Sequence, residues 1–330
     1  MNLLFSCIGR RGYMARYFRP HLATGERIFG TSHTPWTPGL AACDERLILP
    51  PIESDEYIPS VVDTCRRREI GALLSFYDPD VNALCEHRDA LRSVGCLPIL
   101  PSPRTIAIAY DKWTTFTELT AMGYAVPMTV ESLDHAMQAL NDGILRFPLV
   151  VKPRRGFGSA NTFIARNRLQ LEAFCSLEPN MLVQQFIAGQ ELNTSILSDM
   201  QATVLSVVPI RKRLMAGGET QHGETIEHAA LLSLASKLAN DMRSVGPLDV
   251  DFIEAEDGQL YVLDLNPRFG GAYPVAHVAG ADFPGLVVDM VRGKPVMPRV
   301  GDYRRSVYML KDVAILGGDI AELTAGSDND

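Results

Sequence analysis

Short apolar segments alternate with amphipathic segments of about ten residues along the first hundred positions of the chain. The pattern predicts strands at 2–8, 26–30, 72–77 and 97–100, separated by helices at 13–22, 57–68 and 83–94. Strands alternating with helices build a parallel, doubly wound sheet, whose ligands bind beyond the carboxyl ends of the strands. We therefore expect the turns at 9–12 and 78–80 to lie on one rim of this sheet.

The pattern changes after three closely spaced prolines, Pro98, Pro101 and Pro103, which mark a boundary. A helical hairpin or one long helix is predicted at 105–123. Hairpin-forming segments follow, with strands at 147–152, 161–165, 182–186, 191–197 and 202–209, an amphipathic helix at 227–243 and a hairpin at 248–265. This half is α+β rather than α/β, so the two halves should perform different tasks.

Composition narrows the class of protein. The 330 residues are 46% hydrophobic and 21% charged, enough for two or three compact units with their own cores. A net charge of -8 argues against a broad nucleic-acid or anionic-membrane surface. The sequence shows no targeting or membrane segment. The six cysteines are scattered without zinc spacing, so we expect reduced thiols in a cytoplasmic protein.

The hairpin at 248–265 has a strong turn signal. Asp257-Gly258 favours a two-residue turn, and with that turn Asp251 lies directly opposite Asp264. Side chains alternate along a strand, so one face is polar and the other apolar. The polar face has Asp249, Asp251, Asp264 and Asn266, and the apolar face has Val250, Phe252, Leu263 and Leu265.

This pairing of aspartates predicts a metal site. Their Cβ atoms, roughly 5 Å apart, place two carboxylates in repulsion unless a positive charge lies between them. Mg²⁺ takes oxygen ligands and shares them with water and substrate phosphates. Arg268, four residues beyond Asp264, can add charge to the same phosphates. The alternative is a solvated acidic face on an edge hairpin.

A glycine-rich loop follows the strand at 147–152. Its backbone N–H groups can cradle phosphates, with Lys152 at its base. The loop lacks the third glycine of a dinucleotide fingerprint and the GK[ST] of a P-loop. We therefore interpret it as a flap that folds over a nucleotide, and the alternative is an ordinary hairpin turn.

Taken in chain order, these segments resemble the ATP-grasp enzymes, of the single-module kind similar to the large subunit of carbamoyl phosphate synthase. The resemblance covers about residues 2–300, and its motifs are Gly9-Arg-Arg-Gly-Tyr13, Asp78-Pro-Asp80, Asp111-Lys112, 152–159, 184–191, Asp251 and 264–271. It implies a Rossmann-like pre-ATP-grasp domain at 1–103 and an ATP-grasp domain at 104–300 with a small lid inserted at about 127–188. A C-terminal extension at 301–330 would end in a disordered tail.

The resemblance also implies a set of ligand contacts. ATP would lie between the lid and the central domain, in contact with Lys112, Lys152, Gly156, Gly158, Ser159, Gln185, Phe186, Ile187 and Glu191. Mg²⁺, for which Mn²⁺ could substitute, would bind Asp251, Asp264 and Asn266, with Arg268 at the transferring phosphate. Two positions depart from the family, because Asp264 stands where Glu is common and Gln185 where an acid is frequent.

The implied reaction is transfer of the γ-phosphoryl group of ATP to a carboxylate, giving an acyl phosphate that an amine attacks. Lys212 and Arg213 belong to a basic cluster expected to stabilise the acyl phosphate; the alternative is a charged strand end. Substrate contacts are expected at Arg10 and Arg11 for a carboxylate, at Asp78 or Asp80 for an amine, and at His277, each against a purely structural role.

The sequence therefore predicts an ADP-forming carboxylate–amine ligase that acts on small molecules, most simply as a homodimer. Three alternatives remain at this stage. The first is a bicarbonate-activating carboxylase or carbamoyl-phosphate-type enzyme, and the second is an ATP-binding module without turnover. The third, a nicotinamide dehydrogenase, lacks the glycine fingerprint.

Overall fold

A computed structural model describes residues 1–156, 158 and 160–324, whose strands form three separate sheets. The first sheet is parallel with the order β3-β2-β1-β4-β5, which confirms the predicted doubly wound domain. Its strands are β1 (Asn2–Ser6), β2 (Ile28–Ser32), β3 (Glu45–Ile48), β4 (Ile70–Ser75) and β5 (Leu97–Pro98). Its helices are α1 (Gly12–Phe18), α2 (Tyr57–Arg67), α3 (Asp78–Cys85) and α4 (Arg88–Ser93), with 3-10 turns at Arg19–His21 and Pro38–Ala42.

Both faces of this sheet are buried because apolar residues run continuously along its central strands. In β1, Leu3 and Phe5 face one core, and Leu4 faces another. The core that contains Leu3 extends into the second half of the chain, where it includes Phe269 and Tyr273. The N-terminal domain is therefore packed firmly against the part of the chain that carries the acidic hairpin.

A small antiparallel sheet with the order β6-β9-β7-β8 lies within the segment expected to be the lid. It has its own apolar core, which includes Ala136, Val151 and Leu171. Its elements are β6 (Thr129–Val130), α7 (Leu133–Asn141), β7 (Leu149–Pro153), β8 (Phe163–Ala165), α8 (Arg168–Cys175) and β9 (Met181–Gln185). The helical pair α5 (Pro103–Ala109) and α6 (Lys112–Ala121) precedes it, as expected.

The third sheet has six strands in the order β14-β13-β10-β11-β12-β15. Its strands are β10 (Gly189–Ser198), β11 (Val204–Ala216), β12 (Glu219–Thr225), β13 (Gly246–Ala255), β14 (Leu260–Asn266) and β15 (Tyr308–Leu310). The remaining helices are α9 (Ala229–Asp241), α10 (Tyr273–Val278), α11 (Phe283–Val291) and α12 (Ile320–Thr324). Helix α9 packs on one face of this sheet through Leu231, Ala235 and Leu238. The opposite face carries polar side chains where it lines the cavity, among them Asn193, Lys212 and Asp249, and apolar ones such as Val208 and Ile210 where it packs on the N-terminal domain.

The segment assigned to a C-terminal extension contributes β15, the edge strand beside β12. The tail beyond residue 324, expected to be disordered, lies outside the described residues. All six cysteines are free, as predicted. None of the helices in the described part of the chain combines the length and apolar character needed to cross a bilayer.

Asp111 ties the lid to the central domain, and its removal should destabilise the fold. Its carboxylate caps α6 by accepting from the N–H of Trp113 (3.0 Å), and it accepts from Arg154 Nε (2.8 Å). We expect Asp111→Ala to lower the free energy of unfolding by about 1–3 kcal/mol at neutral pH. Chemical denaturation is the measurement, and Asp134→Ala, at an exposed acid on α7, is the matched control.

The same variant has a defined pH dependence. Burial by itself raises the pKa of Asp111, but Arg154 and the backbone N–H groups of Thr114 and Trp113 together outweigh this effect and hold that pKa below its ordinary value. A carboxyl whose pKa is lower in the folded than in the unfolded protein stabilises the fold at pH values above its unfolded-state pKa. This stabilisation is lost as the pH falls through its folded-state pKa. The stability difference between wild type and Asp111→Ala should therefore shrink below about pH 4. A constant difference down to pH 3 would mean that the charge of Asp111 contributes nothing.

Candidate active site

A cavity of about 540 Å³ lies where the three sheets meet. The N-terminal sheet lines it with Arg11 and Asp78, which follow the carboxyl ends of β1 and β4. The lid contributes its glycine-rich loop and the end of β9, and the six-stranded sheet contributes its polar face. The two turns predicted to share a rim do so at this cavity.

The acidic hairpin has the predicted pairing at its functional end. Asp251 lies opposite Asp264, and Asp249 lies opposite Asn266. The turn is different, however, because Ala255 N donates to Gln259 O (2.9 Å) and closes a three-residue loop. A bulge next to Asp251 adds one residue to β14 and offsets the longer turn. The predicted pairing of Asp251 with Asp264 is therefore correct.

The bulge changes which side chains face the core. Leu263, expected in the core, lines the cavity instead. Val262 takes the core position among the residues packed under α9. A single extra residue in one strand moves neighbouring side chains to the opposite face, which a strict alternation from the turn cannot anticipate.

Three lysines supply the positive charge that the aspartates require. Lys212 Nζ lies 2.7 Å from Asp251 Oδ1, and Lys152 Nζ and Lys112 Nζ lie 3.7 and 3.9 Å from Asp264 Oδ1. Burial by itself lowers the pKa of Lys212, but Asp251 outweighs it and raises that pKa. Burial lowers the pKa of Lys152 despite the attraction of Asp264. The aspartates therefore face three largely buried lysines inside the cavity, which a simple solvated acidic face would lack.

Asn193 on β10 is a site residue that the sequence did not single out. Its buried Nδ2 donates to Asp249 Oδ1 (3.0 Å) and Asp251 Oδ1 (2.8 Å). Burial, followed by repulsion from Asp251, raises the pKa of Asp249 to about 6. Its spacing, two residues after Glu191 and therefore on the same face of the strand, is the signal that points to it.

The donor set fits Mg²⁺ held jointly with a substrate. Among the described residues no three His, Cys, Asp or Glu side chains converge into a self-sufficient metal site. Asp251, Asp264 and Asn266 offer oxygens on one face, and Asn193 Oδ1 is buried without a hydrogen-bond partner. Mg²⁺ characteristically uses one or two carboxylates and completes its shell with water and phosphate oxygens. A set of two aspartates and one asparagine that leaves coordination positions open therefore suits Mg²⁺.

The other nucleotide contacts implied by the resemblance surround the same cavity. Lys112 Nζ donates to the carbonyl of Gly156 (2.6 Å), which ties the flap to α6. Gly158 lies against Gly218 of the β11–β12 hairpin, where a Cβ on Gly218 would come within 2.5 Å of the Gly158 carbonyl oxygen. The lining at the β9 end includes Gln185, Phe186, Ile187 and Glu191. Ser159 lies outside the described residues.

Arg268 is buried and directed at the same centre. Its Nε lies 3.1 Å from Asp78 Oδ2, and its Nη2 donates to Asn266 Oδ1 (3.1 Å). Burial by itself lowers the pKa of Arg268, but Asp78, Asp249 and Asp251 together outweigh that effect and raise it. This ion pair joins the N-terminal domain to the acidic hairpin, and both of its members line the cavity.

Three predicted site residues lie elsewhere. Arg213 points to the face opposite Lys212 and pairs with Glu224 at 2.6 Å, because neighbours on a strand alternate. Asp80 is fully buried in the N-terminal domain, where Tyr57 and Ser75 donate to it. Neither Arg213 nor Asp80 lines the cavity, so the structure does not support a catalytic role for the one or a substrate contact for the other, whereas Asp78, the alternative amine contact, does line it.

His277 is the third. Its ring stacks on Tyr17 with 3.8 Å between centroids, and its Nδ1 contacts the hydroxyl of Tyr273 (3.2 Å). It does not line the cavity, since these two contacts hold it beside α1. Arg10 and Arg11 do reach the site, Arg11 in the lining and Arg10 at the rim, where its Nη2 donates to the carbonyl of Gly217.

Comparison with known proteins agrees with this arrangement. Residues 109–272 match the family model described as ATP-grasp domain, and residues 3–99 match that described as PylC-like, N-terminal domain. A D-alanine–D-alanine ligase from Pelotomaculum thermopropionicum is 28% identical over 233 residues, covering 60% of this chain and 73% of that relative.

Two further relatives mark the breadth of the likeness. The arginine-specific carbamoyl phosphate synthase large chain of Geobacillus stearothermophilus is 24% identical over 178 residues, which are 50% of this chain but only 17% of that relative. The biotin carboxylase domain of Hydrogenobacter thermophilus 2-oxoglutarate carboxylase, crystallised with MgADP and bicarbonate, shares the fold. It has a TM-score of 0.70 and 18% identity over 93% of this chain and 73% of that chain. The cavity, its acidic hairpin and these matches together identify the chain as a member of the ATP-grasp superfamily.

Proposed function

We propose that this protein is an ATP-dependent, ADP-forming ligase that activates a carboxylate as an acyl phosphate and joins it to an amine. The observation that carries the proposal is the Asp251–Asp264 pair, enclosed with three lysines and Arg268 in one cavity between lid and sheet. The likeness to D-alanine–D-alanine ligase and carbamoyl phosphate synthase supports it.

The charges of the site suit phosphoryl transfer. The γ-phosphoryl group leaves ADP and bonds to a carboxylate oxygen, and an amine then displaces phosphate from the carbonyl carbon. Lys112 and Lys152 hold ATP phosphates, while Lys212 and Arg268 stabilise the negative charge that moves with the phosphoryl group. Mg²⁺, with Mn²⁺ as a substitute, would neutralise phosphate charge from its place at Asp251, Asp264 and Asn266.

The nucleotide lies along the lid side of the cavity. Gln185, Phe186 and Ile187 contact the adenine, and Glu191 binds the ribose. The loop containing Gly156 and Gly158 closes over the phosphates, and a phosphate contact from Ser159 stays a prediction. Because the flap is tied to Lys112 and packs on Gly218, closing it also excludes water that would hydrolyse an acyl phosphate.

The substrates are small molecules, and we propose a homodimer in the cytoplasm. Free cysteines and the acidic net charge fit that compartment. A dimer is named for the biotin carboxylase domain that shares the fold. Sedimentation equilibrium measures the oligomeric state directly, and a mass of 36.3 kDa for the particle in solution would contradict the dimer.

The activity is tested by the release of ADP and phosphate from MgATP. Pools of amino acids and small carboxylates are supplied in turn, with Lys212→Met protein as the blank. We expect release that requires one pool and is absent from the blank. Release that requires bicarbonate but no organic acid would instead support a carboxylase, and MgADP binding without release in any pool would support an ATP-binding module.

A further inference from the structure

A cluster of three cations lies beside the part of the cavity that Arg11, Gly217 and Glu219 line, and we call this part the corner. Arg11 Nε lies 3.3 Å from Glu219 Oε1, and Lys311 Nζ lies 3.3 Å from Glu219 Oε2. Arg10 reaches the same corner, where its guanidinium meets the carbonyl of Gly217. Lys311 comes from the segment directly after β15, so the C-terminal part of the chain completes this corner.

The corner has more positive than negative charge. In the described part of the chain, Glu219 is the only carboxylate within ion-pair distance of Arg11 and Lys311, and none lies within that distance of Arg10. Burial by itself raises the pKa of Glu219, but Arg11 and then Lys311 outweigh it and lower that pKa. Burial lowers the pKa of Lys311, and repulsion from Arg11 and Arg10 adds to the effect. Two positive charges therefore remain uncompensated.

Arg11 carries the donor that is open to a ligand. Its Nη1 donates to the carbonyl of Phe269 (2.5 Å), and its Nε faces Glu219. Its Nη2 has no hydrogen-bond partner among the residues that the structure describes, although the side chain lines the cavity. Lys311 Nζ also lies 5.4 Å from the centre of the Tyr13 ring.

The corner adjoins the centre of phosphoryl transfer. The carbonyl oxygen of Phe269 accepts from Arg11 Nη1 and also from Arg268 Nη1 (3.1 Å), so the two guanidinium groups are neighbours. Arg268 is already neutralised by Asp78, whereas Arg11 is only partly neutralised. A small molecule that reacts beside Arg268 can therefore place a second group at Arg11.

We infer that this corner binds the free carboxylate of an amino-acid substrate, through Arg11 and Arg10, while Lys311 holds Glu219 aside. The inference rests on the proposed ligase function and specifies one of its substrates. The substrate carries its unreactive carboxylate only a few bonds from its reacting group. Lys311 acts through Glu219 and is a positioning residue, since without it Glu219 is free to pair fully with Arg11 and occupy the carboxylate's place.

The test is binding of amino acids to the MgADP-loaded full chain, followed calorimetrically and by ADP release from MgATP. The probes are the individual L-amino acids, D-alanine, the corresponding amino-acid amides and inorganic phosphate. We expect at least one amino acid to bind and its amide, which lacks the carboxylate charge, to bind about 10- to 100-fold more weakly.

Two variants distinguish the direct contact of Arg11 with the carboxylate from the positioning role of Lys311. Arg11→Gln should raise the KM for the amino acid about 10- to 100-fold while MgADP affinity is unchanged. Lys311→Met should raise the same KM with little change in kcat, and adding Glu219→Gln to it should restore the KM. Arg16→Gln, at an exposed arginine on the same helix, is the matched control and should leave both constants unchanged.

The outcomes distinguish this inference from the ligase function. Amino-acid-dependent ADP release with equal use of acids and amides, or an unchanged KM in soluble Arg11→Gln and Lys311→Met proteins, would overturn the subsite and leave the ligase in place. Amino-acid binding that depends on Arg11 without turnover would support the subsite and count against the ligase. Binding of phosphate but no amino acid, or of no probe, would overturn the subsite.

Discussion

Replacing Lys212 with methionine is expected to lower kcat for ADP formation by about 100- to 1,000-fold. Lys212, whose side chain is 9% exposed, lies 2.7 Å from Asp251 on the cavity-lining face of the six-stranded sheet. Methionine retains the length of the side chain and removes its charge, so the loss falls on the step in which negative charge moves. Asn193 still donates to Asp251, and MgADP binding should therefore persist, as calorimetry can verify.

The matched control is its neighbour on the strand. Arg213→Met removes a cation of similar size one residue away, but on the opposite face, where the side chain is 55% exposed and paired with Glu224. Exposed ion pairs contribute about 1 kcal/mol or less, so stability and kcat should stay near wild type. Equal losses in the two variants would show that net charge along the strand, rather than the position of Lys212, matters.

Truncating Phe269 is expected to produce the largest loss of stability. Its ring is fully buried where the N-terminal domain meets the central sheet, 6.1 Å from the rings of Phe18 and Phe76 and 4.9 Å from Tyr273. Phe269→Ala leaves a cavity that these neighbours cannot fill, and we expect a loss of about 3–5 kcal/mol in denaturant unfolding.

The site should respond to the same substitution. The carbonyl of Phe269 orients both Arg11 and Arg268, so a shift of this backbone disturbs the two guanidinium groups together.

Phe186→Ala is the control for the stability measurement, because its ring is 36% exposed and its truncation should cost much less stability. Comparable losses in the two variants would argue against Phe269 as the link between the domains.

Local patterns predicted the N-terminal domain well because its central strands are apolar on both faces and its helices are amphipathic. They missed β3, a half-buried edge strand with charged residues, and they merged α3 and α4 into one helix. In the second half they missed α7 and α8, whose amphipathic residues lie between strands that dominated the pattern, and α11, which follows the last predicted strand. Strand ends also shifted by one to several residues, since pairing partners rather than propensity set them.

The sequence alone determined the family, the parallel and antiparallel halves, and the opposition of Asp251 and Asp264, because these depend on local periodicity and on residues close in the chain. Which of two neighbouring side chains faces the site depends instead on tertiary packing. It separated Lys212 from Arg213, buried Asp80, brought Asn193 to the aspartates, and carried Lys311 to Arg11 across 300 residues. Such contacts follow from the packing of distant strands and domains, which no local pattern encodes.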